Sequence, residues 1–143
     1  MQNPDESSWN DALMADFRSH DGQITQGRLA GAKMLLMTSV GAKTGLPRIC
    51  PLGYHRDGER YVIVGSNSGK DEQPSWLANV KKNPLVTLEV GTEKFGARAT
   101  VTEGDERRRL LDDRIAAVPI FGEYEKKAHR DLPVVVLERL DPR

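Results

Sequence analysis

The sequence predicts a mainly β, α+β domain: an antiparallel barrel of about six strands with helices at its periphery. Two observations carry that reading. Short apolar runs outnumber the helical patterns, which are inserted between them. Successive runs are joined by tight turns, whereas a parallel sheet needs a long crossover at each step. At 143 residues the chain has the usual size for one domain, and neither a repeat nor a domain boundary interrupts 1–143.

Residues 6–20 read as an amphipathic helix. Ser7 or Ser8 can cap it, Trp9, Ala12, Leu13 and Phe17 share a face, and Gly22 stops it. Its polar face is acidic, with Asp5, Glu6, Asp11 and Asp16. Residues 33–40 form a first strand and 41–45 a turn. A second strand covers 48–56, interrupted by Pro51, which marks an edge or a bulge. Asp57-Gly58 is a hairpin signal leading to a third strand at 61–66. A polar loop at 67–73 precedes a short helix, opened by Pro74 and stopped before Pro84. Residues 85–90 and 95–102 form a hairpin across Gly91-Thr92. Residues 103–117 are a charged helix whose buried stripe is Leu110, Leu111, Ile115 and Ala116. Pro119 opens a helical or turn segment, and 133–139 is a closing apolar strand.

Composition excludes several classes. The chain is 38% hydrophobic and 29% charged, ordinary for a soluble protein. No apolar run approaches the roughly 18 residues of a membrane helix. The N-terminus lacks the basic region and apolar core of a signal peptide, and Cys50 is the single cysteine, so the expected compartment is the cytoplasm. Peripheral contact with a membrane and homo-oligomer formation are left open. Cys50, His20, His55 and His129 are scattered without metal-ligand spacing, so no metal is expected. No basic stripe interleaved with aromatics points to nucleic acid.

The charge is nonetheless uneven. Lys and Arg balance Asp and Glu at 21 each, yet residues 22–56 hold Arg28, Lys33, Lys43, Arg48 and Arg56 and no acid. Cations set among Gly, Ser and Thr suit an anionic ligand, because backbone N–H groups there can be approached closely. In GAKTGLPR, Lys43 and Arg48 lie five apart across the turn, so both can reach one end of the barrel. The spacing is not that of a Walker loop. A solvated hairpin tip is the plainer reading. GSNSGK at 65–70 ends a strand with small residues that can cradle a phosphate, or it is a flexible loop.

On the following helix Trp76 and Asn79 lie about one turn apart. Trp76, Leu77 and Val80 suit a core, while an inward Asn79 needs a partner, which a ligand can supply. Lys81 and Lys82 suit the helix dipole without further function. Phe121 and Tyr124 can flank a planar ligand or pack their helix on the barrel. No Ser/His/Asp or Cys/His pairing stands out, so the chemistry belongs to a bound cofactor.

Taken in order, MLLMTSVGAKTGLPR, CPLGYHRDGERYVIVGSNSG, PSWLANVKKNPLVTLEV and LPVVVLER resemble the deazaflavin-dependent nitroreductase family, actinobacterial proteins that use reduced coenzyme F420. The resemblance spans 34–139, about three-quarters of the chain. It implies a split β-barrel and an oxidoreductase that passes hydride from the reduced coenzyme to a quinone, enone or nitro-type acceptor. Coenzyme F420, an 8-hydroxy-5-deazaflavin, is the implied cofactor. FMN is the alternative cofactor, and a non-catalytic deazaflavin carrier the alternative function.

The implied coenzyme contacts are Met37, Thr38, Lys43, Thr44, Gly45, Pro47, Arg48, Pro51, Gly65, Ser66, Asn67, Trp76 and Asn79, with the phosphate and acidic tail over the first turn. The family commonly has a basic pair where this chain has Ala42 and Lys43, so only the second cation is kept. Gly53, Tyr54, Val118, Phe121 and Tyr124 are the implied acceptor-side residues. The name-giving member lines that side with several tyrosines. Here only Tyr124 keeps its hydroxyl, with Tyr54 nearby, which favours quinones over bulky nitro drugs. A hydroxyl of Ser66 or Tyr124 is the expected hydrogen-bond donor to the acceptor oxygen.

Overall fold

A computed structural model describes residues 4–27 and 29–140, with side chains from Trp9 onward. Arg28 and the side chains of Asp5, Glu6, Ser7 and Ser8 therefore lie outside the described residues. Four helices, α1 (Pro4–Ser19), α2 (Ser75–Lys82), α3 (Gly104–Ala117) and α4 (Ile120–Lys127), surround one seven-stranded sheet. Its strands are β1 (Met34–Val40), β2 (Pro47–Gly53), β3 (His55–Asp57), β4 (Arg60–Val64), β5 (Leu85–Val90), β6 (Glu93–Val101) and β7 (Val134–Arg139). They lie in the order β2-β1-β5-β6-β7-β4-β3, every pair antiparallel.

The expected second strand is two strands. Its break lies at Tyr54, not at Pro51, which sits in the edge strand β2 opposite Leu36. Strands β2 and β3 are the opposite edges of the sheet, yet Tyr54 alone joins them. Laid flat, the edges of seven strands would stand about 29 Å apart at about 4.8 Å per strand, and one residue spans about 3.5 Å. The sheet must therefore curl until its edges meet, which makes it a split barrel. The Tyr54 N–H donates to the Lys33 carbonyl at 3.2 Å, one more rung in the β1–β2 register before the chain enters β3.

Alternation along the strands builds three apolar layers. Leu35, Met37, Tyr61, Ile63, Leu88, Val135 and Leu137 fill the barrel, and Trp76, Leu77 and Val80 of α2 plug it. Met34 and Leu36 face outward against Leu13, Phe17 and Ile24 at α1. Val62, Val64, Val134 and Val136 face outward against Leu110 and Leu111 of α3. Strands β1, β4 and β7 are covered on both faces, which is why they read as unbroken apolar runs.

Two stripes differ from expectation. Helix α1 starts at Pro4, so Ser7 and Ser8 lie within it rather than capping it. Trp9 is 46% exposed, and Leu13 and Phe17 carry the packing. In α3 the buried set is Leu110, Leu111 and Arg114, while Ala116 faces solvent. Among the described residues no helix is long and apolar enough to cross a membrane.

Helix α3 is clamped to the β3–β4 hairpin by Asp57, which accepts from Arg109 at 3.1 and 3.2 Å and from Arg60. The Arg109 and Arg60 hydrogen bonds hold the Asp57 carboxyl down at about 2, against an ordinary 3.8. The folded value is the lower one, so this contribution is complete above the unfolded value and is lost as pH falls towards 2. Asp57→Asn is expected to flatten the fall in melting temperature across that window. An unchanged pH profile of melting would show that the clamp carries no linkage.

Candidate active site

Two loops and one helix form the end of the barrel where the cations gather. The first loop is the turn after β1. Its ends are tied by Gly41 N–H to the Leu46 carbonyl and Gly45 N–H to the Gly41 carbonyl, both at 2.8 Å. Helix α2 then fixes the turn from the side. Asn79 Oδ1 accepts the Ala42 N–H at 2.8 Å, Asn79 Nδ2 donates to Ser39 Oγ at 3.3 Å, and Lys82 Nζ donates to the Ala42 carbonyl at 2.8 Å. Lys43 and Arg48 are exposed at this turn, and neither forms a salt bridge with a described residue. The Arg48 stem runs back along the turn, with its Cγ 3.6 Å from the point a Cβ on Gly41 would occupy. Outside the turn, a groove of ≈ 230 Å³ is lined by Thr38, Val40, Gly45, Pro47, Leu85 and Thr87.

The second loop follows β4. Ser66 is right-handed (φ −74°, ψ −32°), and Asn67, Ser68 and Gly69 are left-handed at φ 46°, 55° and 79°. A right-handed residue followed by a left-handed one turns successive N–H groups to the same side, an anion-binding nest. Two non-glycine residues at positive φ cost energy, so the surroundings must impose the conformation. Arg130 does much of this. Its Nε donates to the Lys70 carbonyl at 3.1 Å, Nη1 to the Gly65 carbonyl at 3.1 Å and Gln73 Oε1 at 2.8 Å, and Nη2 to the Ser66 carbonyl at 3.0 Å.

Helix α2 links the two loops. A Cβ on Gly65 would stand 3.2 Å from Pro74 Cγ at the start of α2, and Asn79, five residues along, holds the first turn. Five residues of helix span about 7.5 Å, so one extended ligand can touch both loops.

Beside the second loop stands a wall from α3 and α4. Tyr124 packs its backbone on Gly69 and meets the Phe121 ring edge to face at 5.5 Å. The Phe121 ring lies under the Arg114 guanidinium, 4.5 Å from centroid to Cζ. The Arg114 carbonyl accepts the Val118 N–H at 2.8 Å, and Arg114 Nη2 stands 2.7 Å from where a Cβ on Gly53 would be.

The structure thus sorts the expected site residues. Lys43, Thr44, Gly45, Pro47, Arg48 and Thr38 gather at the first turn and its groove. Ser66 and Asn67 form the nest with Ser68, and Gly65 leads into it with its own N–H on the Pro133 carbonyl. Gly53, Val118, Phe121 and Tyr124 share the wall. Pro51 lies on the outer face, in register with Leu36. Three side chains stand apart. Met37 and Trp76 lie in the barrel core, and Tyr54 packs edge to face on Tyr61 at 5.5 Å, where burial pushes its phenol up. Asn79 has its partners within the protein.

A profile of the family described as F420H(2)-dependent quinone reductase matches residues 11–139. The chain belongs to this family. It is 37% identical over 131 residues to an F420H(2)-dependent quinone reductase of Mycobacterium tuberculosis, covering 87% of this chain and 86% of the relative. It is also similar to the solved structure of an F420-H2 dependent reductase, FDR-A, with TM-score 0.68 and 34% identity over 74% of this chain and 94% of that one. The heme storage protein HutZ of Vibrio cholerae shares the fold alone, at TM-score 0.60 and 16% identity over 92% and 91% of the two chains.

As a quinone reductase of this family the protein is an oxidoreductase, and bound reduced F420 supplies a hydride to a quinone. The donor set fits such an anionic coenzyme: two cations without a salt bridge to any described residue on a braced turn, an open groove, and a nest at the same end of the barrel. Sequence reasoning missed Arg130, Arg114 and Ser39. Nothing local marks them, since each gains its place from partners far along the chain.

Proposed function

We propose that the coenzyme lies across both loops and meets its acceptor at the wall formed by α3 and α4. The observation that carries this reading is the bridge made by α2, which brings the unpaired Lys43 and Arg48 and the nest at Ser66–Ser68 within reach of one ligand. Lys43 and Arg48 bind the phosphate and acidic tail through charge-assisted hydrogen bonds. Thr38, Gly45 and Pro47 seat the chain between tail and ring. Ser66 and Asn67 fix the ring edge. Phe121 and Tyr124 exclude water and hold the acceptor against the ring, so orientation is the protein's main contribution to rate. The Tyr124 hydroxyl donates to the acceptor oxygen as charge develops there.

With Gly53, Val118 and Phe121 supplying no hydroxyl, the pocket rejects weakly and accepts broadly. The expected result is faster consumption of reduced F420 with menadione than with a bicyclic nitroimidazole. The reverse order overturns this account of the pocket, and consumption with neither favours a carrier. Tyr124→Phe is expected to lower turnover about tenfold, the worth of one hydrogen bond, with coenzyme affinity little changed. A variant that loses affinity instead would place Tyr124 on the coenzyme.

A further inference from the structure

Helix α3 carries four arginines, and three of them are spent. Arg107 Nε donates to the Leu132 carbonyl at 3.0 Å, Arg108 pairs with Asp112 and Glu125, and Arg109 pairs with Asp57 and Asp113. Arg114 is 6% exposed, and its buried Nε has no hydrogen-bond partner. No described residue forms a salt bridge with it, and its guanidinium lies over the Phe121 ring face.

His55 opens β3 two residues beyond Gly53, the residue Arg114 Nη2 covers, and both of its ring nitrogens are buried without a hydrogen-bond partner. Burial, and after it the Arg114 guanidinium, push the His55 imidazole below its usual range. The carboxylates that act on His55 are Asp113 and Asp57, both already engaged by arginines. A buried cation with no counter-charge beside unfilled donors and acceptors is expensive, and such groups call for a ligand. A Cβ on Gly53 would stand 2.7 Å from Arg114 Nη2, so the glycine is what leaves the guanidinium its room.

We propose that Arg114 and His55 form an anion-binding end of the acceptor pocket, selecting a quinone that carries an ionised oxygen, such as a hydroxyquinone in its anionic form. This rests on the assignment of Gly53, Val118, Phe121 and Tyr124 to the acceptor. One guanidinium matches one delocalised charge, and the imidazole adds an N–H donor. The rest of the wall is aromatic and apolar, which suits a conjugated ring rather than a phosphate, whose several oxygens need more donors.

Calorimetric titration with 2-hydroxy-1,4-naphthoquinone, anionic at neutral pH, and with neutral menadione tests this. Wild type is expected to prefer the anion by about tenfold or more, and Arg114→Met to lose that preference. Gly53→Ala, which keeps the arginine but drives a Cβ into it, is expected to reduce the preference as well. The visible spectrum of hydroxynaphthoquinone bound to wild type should stay that of the anion to a lower pH than free in solution. Equal affinity of wild type for both quinones, or a preference that survives in Arg114→Met, overturns the proposal. Arg114-dependent binding of the anion, with no consumption of reduced F420 by either quinone, would instead overturn the acceptor assignment and leave an anion site.

Discussion

Lys43→Ala together with Arg48→Ala is expected to weaken binding of oxidised F420 by well over tenfold. Each cation can make a charge-assisted contact worth about 1.5–3 kcal/mol to a phosphate or carboxylate. Both are exposed and neither is committed to a salt bridge with a described residue, so the folded protein loses almost nothing with them. Melting temperature is therefore expected to stay nearly constant while affinity falls. Raising the salt concentration should weaken wild-type binding and affect the double variant much less. Fluorescence titration of the coenzyme reads both effects. An unchanged affinity would reduce the pair to a solvated turn and move the anion site to the nest alone.

Asn79→Ala is expected to cost about 2–6 kcal/mol of stability and to weaken coenzyme binding at the same time. It strands the Ala42 N–H and the Ser39 hydroxyl, which is only 3% exposed, and unpaired buried groups of this kind cost about 1–3 kcal/mol each. Binding suffers because the turn that presents Lys43 loses its brace. Asn79→Asp separates the two effects. A carboxylate still accepts the Ala42 N–H, so stability falls less, but its negative charge beside the turn opposes an anionic ligand. Denaturant unfolding and coenzyme titration of both variants check this. Aspartate binding the coenzyme as well as asparagine would mean that no anion lies over the turn.

These two sites show what was legible in the chain. The cations are visible because charge, glycine and turn spacing are local, and GAKTGLPR reads as a turn by itself. The role of Asn79 is not. Sequence spacing places it on a helix face with Trp76 and asks for a partner, but the partner is 37 residues away on a turn. The fold supplies two such partners within the protein, the Ala42 N–H and the Ser39 hydroxyl. Arg130 is hidden for the same reason, since the carbonyls it holds lie 60 to 65 residues earlier.

The sequence by itself determined the antiparallel, strand-rich class, because alternation and turn residues act over a few positions. It also determined the family, because several motifs recur in one order over most of the chain. Only the tertiary structure decided where the second strand breaks. Tyr54 carries no breaker signal, and the break exists because the curled sheet brings its two edges together there. Only the tertiary structure turned Arg114 inward as well. A charged residue at a helical position reads as solvated, and what buries this one is Gly53 on a distant strand and Phe121 on the next helix, neither of which helical periodicity can see.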